Sequence, residues 1–268
     1  MTAAPRKLVL VTGASAGFGA AFARAYAARG YDLALVARRV DRLDALAAEL
    51  GAAHGIEAFA IGADLSVYGI EQIVLDAVAA RGRVVDILIN NAGFSVPQSF
   101  AAVPWSRQQS FLMTLVVSAC GLAHGVLPGM VERGSGAIIN VASLAGYAPG
   151  AAGHTLYPAA KSLAIKFSEA LAAEYAVKGV RVTALCPGFT HTEFALANGT
   201  QAIMDASPRM FFQQVEPVVE AAIRANDRGK VILIPGWHNK LAAVLLRHLP
   251  EGLVKAVIAA GSKRYHLD

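Results

Sequence analysis

The segment HTLYPAAK, residues 154–161, places Tyr157 and Lys161 four positions apart in alanine-rich, helix-forming sequence. On a helix that spacing stacks both side chains on one face, one turn apart. A phenol with an ordinary pKa near ~10 donates a proton poorly and is rarely a base at neutral pH. A cation one turn away stabilises the phenolate and lowers that pKa. Ser143 stands upstream, at the end of an apolar run in INVASLAG, and its hydroxyl can hold a carbonyl or alcohol oxygen beside the phenol. Hydride exchange between a carbonyl and an alcohol needs such an acid/base, while a nicotinamide carries the electrons. The same phenol and ammonium also read as a plain surface pair. His154, one turn before Tyr157, reads either as a pocket residue or as an ordinary loop histidine.

Other residues of the right type lie at the ends of apolar runs. TGASAGFG, Thr12 to Gly19, follows the first such run. Glycine at 13, 17 and 19 lets the backbone turn sharply and approach a ligand, with Thr12, Ser15 and Phe18 completing the turn. The helix it opens offers free N–H groups and positive dipole potential to a pyrophosphate. The spacing is G-x3-G-x-G rather than the general dinucleotide fingerprint G-x-G-x-x-G. The second run ends in Arg38 and Arg39, with no acid before Asp41. Arginine suits a 2′-phosphate, so the expected cofactor is NADP(H) rather than NAD(H). Asp64 and Leu65 follow the third run, and Asn91, Ala92 and Gly93 follow the fourth. Asp64 can accept from an adenine amino group, and the small residues let a nucleoside lie against the backbone.

These residues need a scaffold that presents strand ends side by side. Nearly continuous Val, Ile, Leu and Ala runs predict strands at 7–12, 33–37, 58–63, 87–90, 137–141, 180–185 and 231–234. Helical stretches at 18–29, 40–53, 68–81, 106–132, 155–178 and 216–227 alternate with them. That alternation predicts an α/β fold: a single domain with a doubly wound parallel sheet of about seven strands and helices on both faces. Residues 189–212 lack a clean period and read as a substrate lid or as packed surface helices. The tail from Trp237 to Asp268 mixes apolar and basic residues, as a packing helix pair, a dimer contact or a membrane-surface helix would.

Composition excludes several classes. The chain has 268 residues, 55% hydrophobic and 16% charged, so it can bury a substantial core. Its net charge of +5 is scattered, with no basic block, and a nucleic-acid partner is not expected. Cys120 and Cys186 lie far apart without metal-ligand spacing, as small core residues of a reduced, cytoplasmic protein. No metal site is expected. No window shows the roughly 18–20 uninterrupted apolar residues of a spanning helix.

Taken together, the motifs resemble the classical short-chain dehydrogenase/reductase family over about residues 6 to 235. The resemblance implies a Rossmann fold, with Thr12, Gly13, Gly17 and Gly19 at the pyrophosphate and Asp64 at the adenine. Asn91, Ala92 and Gly93 would lie near the adenosine ribose. Tyr157 would be the acid/base, Lys161 would bind the nicotinamide ribose and tune it, and Ser143 would orient the substrate. CPGFTHT resembles the family's Pro-Gly segment, placing Pro187, Gly188, Thr190 and Thr192 around the carboxamide. The implied reaction is NADP(H)-dependent interconversion of a hydrophobic ketone or aldehyde and its alcohol, in a homodimer or homotetramer.

The sequence departs from the family pattern in three places. The family's fourth catalytic residue, an asparagine that helps hold a water beside the lysine, falls here on Leu115; no asparagine occurs between Gly93 and Asn140. Ser143 precedes Tyr157 by fourteen residues rather than the usual thirteen. Phe18 is bulkier than the usual aliphatic residue, and Ala16 lacks the basic character of some NADP-preferring members. Leu115 leaves open a second reading, a dinucleotide-binding scaffold or sensor with impaired catalysis.

Overall fold

The computed structural model describes residues 6–150, 152–153, 155–194, 198, 211–249 and 252. His154, most of the 195–210 stretch and all but one residue beyond 249 lie outside them.

Seven strands form one parallel sheet: β1 (Leu8–Thr12), β2 (Asp32–Ala37), β3 (Ala58–Gly62), β4 (Val85–Asn90), β5 (Gly136–Val141), β6 (Val180–Leu185) and β7 (Ile232–Leu233). Their spatial order is β3-β2-β1-β4-β5-β6-β7. Helices α1 (Gly17–Ala27), α2 (Val40–His54), α3 (Ile70–Ala79), α4 (Trp105–Leu112), α5 (Ser118–Glu132), α6 (Tyr157–Tyr175), α7 (Val215–Asp227) and α8 (Trp237–His248) complete the described frame.

Strand periodicity sorts the core into two layers. Val9 and Val11 of β1 face Phe22, Leu43, Val218 and Ile223 from α1, α2 and α7. Their neighbours Leu8 and Leu10 face Val74, Leu122, Met130 and Leu171 from α3, α5 and α6. A strand apolar on both faces therefore means a sheet covered on both faces, which is why β1 reads as an unbroken apolar run. Each fully buried leucine contributes roughly 1.5–3 kcal/mol relative to exposure. The strand order reverses direction between β1 and β4. Ligands bind in such sheets at the carboxyl ends of the strands flanking this switch.

The stretch expected as one helix at 106–132 is divided. Between α4 and α5, Met113–Val117 form a π-turn, and the Ser118 N–H reaches back to the Met113 carbonyl. Ser118 is fully buried, and its hydroxyl donates to the Leu65 carbonyl at 2.7 Å, pinning the turn to the loop after β3. By length and composition alone Trp105–Glu132 is long and apolar enough to cross a membrane. In the fold, Leu122, Val126, Leu127 and Met130 of α5 pack on the sheet. Gly121 and Gly125 allow Glu71 and Leu75 of α3 to approach it closely.

Candidate active site

The loops after β1, β2 and β4 form a cradle. Thr12 ends β1, buried, with its hydroxyl donating to the Ile89 carbonyl (3.1 Å) and accepting from the Asn91 and Ala92 N–H groups (2.9 and 3.1 Å). The Asn91 side chain donates to the Thr12 and Gly13 carbonyls at 2.8 and 3.2 Å. Gly13 and Gly17 have φ of 65° and 54°, where side chains are strained. A Cβ on Gly19 would stand 2.2 Å from the Gly13 carbonyl oxygen, so only glycine lets the turn close. Phe18, in the first turn of α1, packs against the core. The first turn of α1 carries no acidic residue and no side-chain cap, leaving its N–H groups for an anion.

Arg38 and Arg39 follow β2, both exposed. Arg39 donates to the Ser15 hydroxyl at 2.9 Å, which brings the guanidinium to the glycine-rich turn. Burial tends to raise the Asp64 pKa, but hydrogen bonds from Ser66 and the Arg38 charge outweigh it and hold the carboxyl below its usual value. The left-handed glycines, the uncapped helix end and the paired arginines fit a dinucleotide carrying phosphate charge.

Ser143 follows β5 and begins a short helical turn, Leu144–Tyr147; its oxygen accepts from the Ala145 N–H at 3.1 Å. The Ser143 hydroxyl is hydrogen-bonded to the Tyr157 phenol, at the start of α6. Lys161, one turn on, is buried, and its ammonium donates to the Val141 carbonyl at 2.8 Å. Three residues from two separate elements thus meet at the strand ends. Their electrostatics differ from the expected tuning. Burial pushes Tyr157 up to about 12, opposed by the Ser143 hydrogen bond. Burial also pulls Lys161 down to about 8. The ammonium lies 5.7 Å from the Tyr157 ring centre and is turned to a backbone carbonyl.

The surroundings of Tyr157 are aromatic. Phe111 and Phe194 lie 6.5 and 6.2 Å from its ring, and Phe94 packs edge-on against Phe111 at 5.6 Å. Phe111 is fully buried, packed as core behind the Tyr157 ring. Leu115, in the π-turn, is buried against Phe111 and Ala160, and a Cβ on Gly93 would stand 3.3 Å from its Cγ. Pro187 accepts from the Leu144 N–H at 2.9 Å, tying the segment after β6 to Ser143. Gly188 makes room for the Asn239 side chain of α8. The Thr190 hydroxyl donates to the Gly188 carbonyl at 3.2 Å. The Thr192 side chain stands 3.4 Å from where a Gly17 Cβ would be, so this segment reaches the glycine-rich turn. Beside it, Glu193 pairs with Arg42 at 2.9 Å and Arg39 at 3.5 Å, a contact sequence reading missed.

Comparison with known proteins agrees with this architecture. The short chain dehydrogenase family matches residues 7–202. An uncharacterized oxidoreductase of Myxococcus xanthus is 31% identical over 250 residues, 93% of this chain and 95% of that protein. The structure of a short-chain dehydrogenase from Sphingobium yanoikuyae in complex with NADPH superposes with a TM-score of 0.80 at 34% identity, covering 92% of this chain and 94% of that one. A bulky-bulky ketone specific alcohol dehydrogenase from Comamonas testosteroni gives 0.76 at 28% identity, covering 92% and 96%. With its seven-stranded parallel sheet and cradle at the β1/β4 switch, the chain belongs to the short-chain dehydrogenase family and is an NAD(P)-dependent oxidoreductase.

Proposed function

We propose that the protein interconverts an apolar ketone or aldehyde and its alcohol with NADP(H), using Tyr157 as the general acid/base. The observation that carries this reading is the meeting of Ser143, Tyr157 and Lys161 beside a phosphate-binding cradle. When bound, the nicotinamide supplies or accepts the hydride. Thr12, Gly13, Gly17 and Gly19 hold the pyrophosphate against the N-terminus of α1. Ser15, Arg38 and Arg39 face the 2′-phosphate, and NADPH in the Sphingobium relative supports that choice. Asp64 and Leu65 hold the adenine, while Asn91, Ala92 and Gly93 line the adenosine ribose. Pro187, Gly188, Thr190 and Thr192 border the carboxamide.

In the reducing direction Ser143 hydrogen-bonds the substrate carbonyl oxygen, and Tyr157 delivers a proton to it as negative charge develops. In the reverse direction the phenolate removes the alcohol proton. Burial makes the phenol harder to ionise; the Ser143 hydrogen bond opposes this, and the Lys161 charge would oppose it further with the cofactor's ribose bound beside it. The rings of Phe94 and Phe194, with Phe111 buried behind them, favour an apolar substrate. The Comamonas relative, named as specific for bulky ketones, supports a ketone as the substrate.

Loss of NADPH absorbance over a panel of apolar ketones and aldehydes tests the reading. We expect turnover in the wild type and a loss of roughly 10²–10⁴-fold in kcat for Tyr157→Phe with NADPH binding retained. NADPH binding without turnover on any member of the panel, in the wild type as in Tyr157→Phe, is the outcome a scaffold or sensor gives.

A further inference from the structure

α8 carries apolar residues on the side that faces away from the protein. Its inward positions are Asn239 and Ala243, both buried. Asn239 donates to the Pro235 carbonyl at 2.8 Å and to Gln213 at 3.0 Å, and seats against Gly188. On the outward side Trp237 is 72% exposed, and Leu241, Val244 and Leu245 are exposed with it, as is Leu249 just past the helix end. Spacings of three and four put these side chains on one stripe, with His248 among them at the last turn. Phe211, also exposed, and Trp237 each stand 5.9 Å from the His238 ring, so the apolar surface continues beyond the helix. Single exposed apolar residues are ordinary, but a contiguous stripe marks a surface that something covers.

Charge decides what covers it. Lys240 and Arg247, both exposed, lie two turns apart along one edge of the stripe, and residues 237–249 contain no Asp or Glu. A second copy docked two-fold on the stripe would bring these cations against their own equivalents. The chain after α8 holds Lys255, Lys263 and Arg264 against Glu251 and Asp268, so it brings no net negative charge either. We infer that α8 docks the protein on an anionic lipid surface. Trp237, Leu241, Val244 and Leu245 enter the boundary between headgroups and acyl chains, and Lys240 and Arg247 meet lipid phosphates. The helix has 12 residues, about 18 Å at 1.5 Å each, and so lies in the surface rather than crossing the hydrocarbon core. The net charge of +5 favours the same surface. α8 also adjoins the candidate active site: Asn239 seats against the segment after β6, and the Arg247 guanidinium lies 5.5 Å from the Tyr147 ring in the turn after Ser143. Docking therefore sets that site beside a bilayer, where apolar carbonyl compounds partition.

The consequence for the substrate rests on the function proposed above; lipid binding does not. Flotation of the intact protein with vesicles tests it, using phosphatidylcholine alone or phosphatidylcholine and phosphatidylglycerol in equal parts. The wild type should float with the mixed vesicles, weakly with the neutral ones, and less as salt rises. Leu241→Ser with Val244→Ser, and separately Lys240→Glu with Arg247→Glu, should each weaken that partition roughly tenfold or more. Both pairs change exposed side chains, and thermal melting confirms that each variant folds. In a Trp105→Phe background, which leaves Trp237 as the single tryptophan, emission should shift to the blue on mixed vesicles. The proposal is overturned if the wild type does not bind mixed vesicles, or if either paired variant binds as well as the wild type. A Trp237 emission that vesicles leave unmoved, or a dimer that Leu241→Ser with Val244→Ser splits, assigns the stripe to the chain itself and also overturns it. Absence of turnover strikes the proposed function instead, and flotation still decides the lipid contact.

Discussion

Lys161 carries its ammonium inside the protein, and that has a measurable effect on stability. Its folded pKa is about 8, against roughly 10.4 in an unfolded chain. Below pH 8 both states hold the proton, and the buried charge costs its full penalty. Between about 8 and 10 the unfolded chain holds more protons, so stability rises with pH, and above that window the penalty is gone. We expect the stability of the wild type minus that of Lys161→Met to rise by on the order of 1–3 kcal/mol across this window. Urea melts at several pH values check this; a flat difference would place the lysine in a well-solvated environment. Residue identity was legible here because Tyr157 and Lys161 are one turn apart, a spacing that survives any tertiary context. The electrostatics were not legible. Burial, which sequence spacing does not reveal, dominates both groups and moves the phenol opposite to the expected direction.

The β-strands and most helices were legible as elements, because a strand buried on both faces has to be apolar throughout. The π-turn at Met113–Val117 was not. Its residues are as apolar as those on either side, and what sets it is a buried contact between Ser118 and Leu65, 53 positions apart. The segment after β6 gives a similar case. Glu193 meets Arg42 across 151 positions, with Arg39 in the same ion-pair group. The carboxylate thus sits beside the arginines expected to receive a 2′-phosphate, linking the cofactor cradle to the region that begins at Phe189. Like charges at one site oppose each other, so in the proposed function a 2′-phosphate would have to displace Glu193 from Arg39. Glu193→Gln is therefore expected to tighten NADPH binding roughly threefold to tenfold and leave NADH nearly unchanged. Fluorescence titration of both cofactors would show it, and equal changes for the two would sever Glu193 from the 2′-phosphate.

At the scale of the molecule, the sheet order places the first four strands around one crevice, and a buried ion pair secures the opposite end. Asp32, at the start of β2, accepts from the Glu57 N–H at 2.8 Å and pairs with Arg83 at 2.8 Å; their side chains are 7% and 12% exposed. Arg83 also donates to the Arg6 carbonyl at 2.8 Å, so one guanidinium ties β1, β2 and the approach to β4. Arg83→Met leaves a buried carboxylate without its partner and should cost about 3–5 kcal/mol. Adding Asp32→Asn should recover part of that, while leaving NADPH affinity unaffected because the pair is remote from the cradle. Denaturant melts of the two variants test it, and additive losses would contradict the pairing. This network could not be read from sequence, since its members are 25 to 77 positions apart. The βαβ alternation that predicts a doubly wound parallel sheet could. The central claim is that Tyr157 delivers a proton while hydride passes from NADPH to a carbonyl carbon. Its most direct test is turnover of an apolar ketone with NADPH carrying deuterium at both positions of nicotinamide C4, followed by mass spectrometry of the product. The account predicts one deuterium on the carbinol carbon for the wild type, and almost none formed by Tyr157→Phe in the same time. Undeuterated alcohol, or equal deuteration by the two proteins, would contradict it.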